Sequence, residues 1–173
     1  MPREKIMKTR TVIALIAAVT LFATVAHLQL GAQESQNTED YAFAALVKAK
    51  TLKCYLGKGS CANWDAGDVE IKMVKEYTKK QEDCIMIFDS IDLKNGKARI
   101  IGNKGSAYVM AFATVGGVTF IEQARGGSVF VTTIFPKYKK GSNEFLFVYS
   151  RHFAGFVSGP MPSQYYGTCM ILE

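Results

Sequence analysis

Histidine is nearly missing from this chain of 173 residues: there are two, and only His152 lies beyond the first 32 positions. One imidazole needs cysteine or carboxylate partners to make a zinc site, and the acids are scattered along the chain. Cys54, Cys61, Cys84 and Cys169 show no C-x-x-C spacing, which argues against a zinc knuckle and against a thioredoxin-like redox centre. The phosphate-cradling patterns G-x-x-x-x-G-K-[ST] and G-x-G-x-x-G are missing, as are H-E-x-x-H and the nucleophile elbow G-x-S-x-G. The sequence therefore nominates no cofactor, no metal and no catalytic residue, and an enzyme is the least supported class of function.

Long apolar runs are also scarce. The one between Thr11 and Ala26 follows Arg3, Lys5, Lys8 and Arg10, which is the basic-then-apolar order of a secretory signal peptide. Its 16 residues fall short of the roughly 20 needed to span a bilayer. Residues 1–32 thus read as a cleaved export signal, with cleavage after Ala26 or Ala32, and the remaining chain as not membrane-spanning. Removing four basic residues and one acidic residue from 21 and 15 leaves 17 and 14, a net charge of +3. A domain so mildly charged makes no case for nucleic acid.

What the sequence does have is a series of short apolar runs punctuated by glycine, from Cys84 to Phe153. Asn95-Gly96 separates 85–93 from 98–101 and reads as a two-residue type I′ hairpin turn, whose central positions both need positive φ. Gly102-Asn103-Lys104-Gly105, Gly116-Gly117 and Gly126-Gly127 divide the next runs, and a basic loop from Pro136 to Asn143 precedes 144–153. Six strands in meander order result. Upstream, 33–40 is a polar, disordered linker, and a short helix through Lys48 is expected, with Ala42, Ala45, Leu46 and Ala49 at helical spacing. Then come a first strand at 52–56, a glycine-rich loop holding Cys61 and Trp64, and a strand from Val69 to Tyr77. After two prolines and two glycines in 154–164, which exclude regular strand there, residues 165–172 read as the closing strand.

About nine strands in 41–173 predict a single all-β domain: an antiparallel meander closed as a small, lipocalin-like β-barrel, or a β-sandwich, with one short N-terminal helix. In 106–114 the bulky Tyr108, Met110 and Phe112 alternate with small Ala107, Val109 and Ala111. In 144–153 Phe145, Phe147, Tyr149, Arg151 and Phe153 share one face. Neither face of these strands is polar throughout, so both are expected to be covered.

Four cysteines in an exported chain read as two disulfides. Sequence allows three pairings. A barrel sets its first and last strands side by side, which favours Cys54–Cys169 and leaves Cys61–Cys84.

The segments Phe88-Asp89-Ser90-Ile91-Asp92, 98–103, Thr119-Phe120-Ile121-Glu122, Thr132-Thr133-Ile134-Phe135, Ser150-Arg151-His152 and Ser163-Gln164-Tyr165-Tyr166-Gly167-Thr168-Cys169 resemble a family of small exported bacterial proteins of unknown function. The resemblance covers most of 84–169. It implies a periplasmic or secreted setting and carries no activity or site residue with it.

Six residues are candidates for contact with a ligand: Arg151, Tyr149, Trp64, Tyr165, Tyr166 and His152. Arg151 stands on an otherwise aromatic face, where a guanidinium either pairs with a carboxylate, Asp89 or Glu122, or meets an anionic ligand. Glu122 breaks its own apolar face in the same way, so pairing of the two is the simpler expectation. Ser150 and His152 share a strand face, and Asp89 or Asp92 could orient the imidazole. Without an elbow or oxyanion hole, a structural histidine is the simpler reading. Trp64, Tyr165 and Tyr166 lie in or beside expected loops, where aromatics plug a barrel end or line its mouth. The expected role is non-enzymatic binding of a small apolar or amphipathic ligand. The alternative is interaction with a cell-envelope protein, and oligomeric state is not legible.

Overall fold

A computed structural model describes residues 38–65, 68–76, 84–124, 126–155 and 159–172. The export signal expected at 1–32 and most of the linker lie outside the described residues. Residues 41–173 belong to one unit of nine strands: β1 (Leu52–Asp65), β2 (Asp68–Val74), β3 (Ile85–Asp92), β4 (Lys97–Gly102), β5 (Gly105–Thr114), β6 (Gly117–Gln123), β7 (Val129–Tyr138), β8 (Phe145–Gly155) and β9 (Gly159–Ile171). All neighbours are antiparallel, and β1 pairs with β9 to close the sheet. The architecture is an eight-stranded barrel of β1 and β3–β9, with β2 as an additional strand.

Long β1 serves two structures. Its first half pairs with β3 (Leu52↔Phe88 to Tyr55↔Ile85), and its second half, Gly59 to Asp65, exchanges that neighbour for β2. Strand β9 follows its other edge from Ile171 to Ser163. The glycine-rich stretch expected to be a loop is therefore strand, because backbone pairing on both edges satisfies it without large side chains. Likewise β9 contains Pro160 and Pro162. These residues pair only with β8, beyond the last contact with β1 at Ser163, so each has a free edge, the setting in which a strand tolerates proline.

A helix, α1 (residues 38–48), leads into β1 and sends Ala42, Leu46 and then Ala49 into the same core as the barrel. It begins earlier than the end of the expected linker. Lys50 and Thr51, just after it, bond to Ile91 of β3 and to Leu172 beyond β9, which holds the helix at the end of the barrel where β1 starts. There the interior is solid. The rings of Phe88 (β3) and Phe120 (β6) stack with centroids 4.1 Å apart, meeting across strands that are not neighbours. Phe145, Phe147, Ile134 and Val118 fill the space beside them.

The β3–β4 hairpin forms where Asn95-Gly96 places it, but its loop has four residues and only Gly96 has positive φ, +68°. The Asp92 carboxylate accepts bonds from the Asn95 backbone N–H (3.1 Å) and side chain (2.6 Å), which holds the longer turn. A bulge before it sets Ser90, at φ +51°, between Asp89↔Arg99 and Asp92↔Lys97. The extra residue lets both Phe88 and Ile91 face inward, which strict alternation forbids.

Small Val109 and Ala111 of β5 face the interior, and Tyr108, Met110 and Phe112 face out with exposures of 85%, 56% and 40%. The expectation that both faces are covered fails here. The tight interior takes the small side chains, and among the described residues no second layer lies over the bulky ones.

Cys54 and Cys169 are register partners joined by a disulfide with Cα atoms 4.0 Å apart. The Cys61–Cys84 bond is not formed, and the two remain separate thiols. Because Ile85 pairs with Tyr55, Cys84 stands near the level of Leu56. Cys61 is five residues further along β1, roughly 16 Å away at strand rise, and no disulfide spans that.

Two outcomes follow for stability. Alkylation of the unreduced, denatured protein should label two cysteines and of the reduced protein four. Replacing Cys54 and Cys169 by alanine should cost about 2–5 kcal/mol in urea unfolding. Labelling of no cysteine or of four before reduction contradicts this pairing. A Cβ at Gly167 would meet the Tyr55 carbonyl and the Phe147 ring, whereas one at Gly102 meets nothing within 4 Å. Gly167→Ala should therefore lose about 1–3 kcal/mol and Gly102→Ala almost nothing; equal effects contradict that difference.

Candidate ligand-binding site

At the end of the barrel away from α1, the inward side chains no longer fill the interior. Glu122 on β6, Phe130 on β7 and Arg151 on β8 are successive partners across two strand pairs and form one tier. Phe120, Thr132, Tyr149 and Tyr165 form the tier below. The β4–β5 hairpin on the other side contributes Gly102, Gly105, Ser106 and Ala107, too small to reach these rings. Between them lies a cavity of about 590 Å³, with Leu56, Met86 and Ile100 at its apolar wall and Lys104 beside it. That volume is in the range of small-molecule sites, about 300–1,000 Å³.

Arg151 lines this cavity, and its Nε is buried without a hydrogen-bond partner. Its guanidinium carbon lies 5.6 Å from the Phe130 ring centroid and 5.9 Å from that of Phe153. Ring faces attract the cation but do not satisfy its N–H groups. The expected ion pair with Glu122 is not made: the ion pairs among the described residues are Lys72–Glu70, Arg99–Asp89 and Lys139–Glu144. Two strand spacings, roughly 10 Å, separate Glu122 from Arg151, and Phe130 stands between them. Burial alone pushes the Glu122 carboxyl above the usual carboxylate range.

Asp89, the other expected partner, is held on the outside of the barrel by Arg99 through two hydrogen bonds, one from Nε at 2.8 Å. That guanidinium lowers the Asp89 carboxyl below its ordinary value. Asp92 is committed to its turn, so neither acid orients His152. Ser150 accepts a bond from Gln164 at 3.3 Å. His152 is exposed and borders a smaller recess of about 290 Å³ with Cys61 and Ser163. No serine–histidine–acid arrangement is assembled among the described residues.

The structure thus gathers Arg151, Tyr149 and Tyr165 about one cavity, whereas His152 and Tyr166 do not line it. Tyr166 points outward, its hydroxyl donating to Gln164 at 2.9 Å. Trp64 lies in β1 opposite Val69 of β2, in strand and not in a loop. Phe130 and Phe153, missing from the six candidates, join the cavity, and the alternation that places Arg151 inside also identifies them. The chain matches no known family model, no curated protein and no solved structure. The functional reading accordingly rests on these side chains.

The Glu122 carboxyl holds its proton to higher pH in the folded chain than in the unfolded one, where its pKa is about 4.3. Its favourable contribution is complete below that value and is lost as pH rises through the raised one. Glu122→Gln should therefore be more stable than the parent at pH 7, by under about 1 kcal/mol because water reaches part of the group. The advantage should vanish towards pH 4. A variant less stable at pH 7, or an advantage independent of pH, contradicts an unpaired carboxylate.

Proposed function

We propose that this protein is a non-enzymatic binding protein whose barrel holds one small amphipathic molecule in its open end. The observation that carries the reading is an aromatic-walled cavity containing a guanidinium whose Nε has no partner. Burying such a group without a hydrogen bond costs stability, and a guanidinium on the cavity wall suits a ligand bearing an acceptor. The Cys54–Cys169 disulfide is compatible with an exported protein, and among the described residues no helix is long and apolar enough to cross a membrane. We place the protein in a bacterial periplasm or secreted fraction on that disulfide and on its N-terminal sequence. The alternative, an envelope interaction module, draws on exposed Tyr108, Met110 and Phe112. That stripe lies on the convex outside of the barrel, whereas the cavity has both a shape and a charge to select an occupant.

N-phenyl-1-naphthylamine, a neutral dye that brightens in apolar surroundings, tests the reading. The full oxidised chain should bind it with about 1:1 stoichiometry. Ala107→Trp, which fills the cavity from β5, should weaken binding at least tenfold while leaving the unfolding midpoint within a few degrees. No binding by the parent, or equal binding by the filled variant, removes the cavity from the account.

A further inference from the structure

We propose that the molecule held by this cavity is an amphipathic organic acid carrying a single negative charge, its carboxylate paired with Arg151 and its apolar body lying against Leu56, Met86 and Ile100. This rests on the reading of the cavity as a ligand site and adds the chemical class of the ligand. The first argument is geometric. A planar guanidinium presents its N–H groups as a fork that a carboxylate meets with two parallel bonds. Arg151 lines the cavity, and its Nε, buried within the wall, has no hydrogen-bond partner of its own. Phe130 and Phe153, with centroids 5.6 and 5.9 Å from the guanidinium carbon, flank the cation and restrict its swing.

The second argument is charge. Arg151 and Glu122 stand on one tier of the wall and Lys104 on the β4–β5 turn, so the described lining carries two cations and one carboxylate. A neutral acceptor can bond an N–H of the guanidinium but leaves the net positive charge of this lining unbalanced. A monoanion balances the net charge of one that two cations and one carboxylate leave, and a dianion exceeds it with a second negative charge near Glu122. Apolar residues next to the tier supply the rest of the contact, so the ligand needs an apolar body as well as an acid group.

Three competitors with one chain and different heads separate the cases: dodecanoate, dodecanol and dodecyl phosphate, the last carrying close to two charges at pH 8. Each is titrated, below its aggregation limit, against N-phenyl-1-naphthylamine bound to the full oxidised chain. Dodecanoate should displace the dye at about tenfold lower concentration than dodecanol, as expected for a charged hydrogen-bonded pair, and at lower concentration than dodecyl phosphate. Arg151→Met should bind the dye within about threefold of the parent yet bring dodecanoate to the level of dodecanol. Equal displacement by dodecanoate and dodecanol in the parent overturns the inference whether or not the variant folds, and leaves the cavity reading standing. Stronger displacement by dodecyl phosphate overturns the single charge. Failure of the parent to bind the dye refutes the cavity reading, and the inference with it.

Discussion

The barrel depends on the two edges of β1 between Leu52 and Leu56. One edge carries β3, the other β9, and only this double pairing turns a meander into a closed wall with an inside. Cys54 and Cys169 lie within that seam as register partners, joining positions 115 residues apart. The bond holds the two ends of the sheet in contact and removes extended conformations from the unfolded chain. The inward order of side chains around the wall follows from the register that this closure imposes.

The interior so enclosed is divided unevenly. Near α1 the inward positions are large and the volume is filled, with Phe88 stacked on Phe120 and Phe147 lying over Gly167. Gly167 belongs to that packing: its missing side chain is the space the Phe147 ring occupies. Towards the other end, β4 and β5 present glycine, serine and alanine while β7 and β8 still present aromatics. Eight strands leave room for side chains or for one small molecule. Where small residues face large ones across that width, the wall does not close on itself, so the cavity follows from side-chain size around a fixed circumference.

Much of this was legible in the chain. The boundaries of β3 to β8 fall within a few residues of the glycine punctuation, because a meander reverses where positive φ is available. The Cys54–Cys169 link is, of three possible pairings, the one that strand order favours, and it is the one formed. The errors came where pairing overrides local preference. Glycines 57 and 59 look like loop yet belong to a strand held on both edges, and Pro160 and Pro162 look like a break yet occupy a stretch with one neighbour. Cys61–Cys84 looked like the leftover pair, but register sets those residues several strand positions apart. The alternation in β5 separated bulky from small residues without telling which set faced inward; the answer depends on barrel width, which no single strand encodes.

The site was legible in part for the same reason. Period-two alternation brought Arg151 onto the aromatic face of β8 and Glu122 onto the inward face of β6, and the expectation that opposite charges pair then joined them. The sheet forbids it, since their strands are separated by β7 and Phe130 occupies the place between. Two charged groups on one apolar tier are thereby held apart by backbone register, each costing more than if the other were in reach. Closure of the barrel offsets that cost, so the fold can keep a cation exposed to the cavity without a carboxylate of its own to neutralise it. On the proposed reading, a guanidinium held in this way is oriented before a ligand arrives, so little ordering of the side chain is needed on binding.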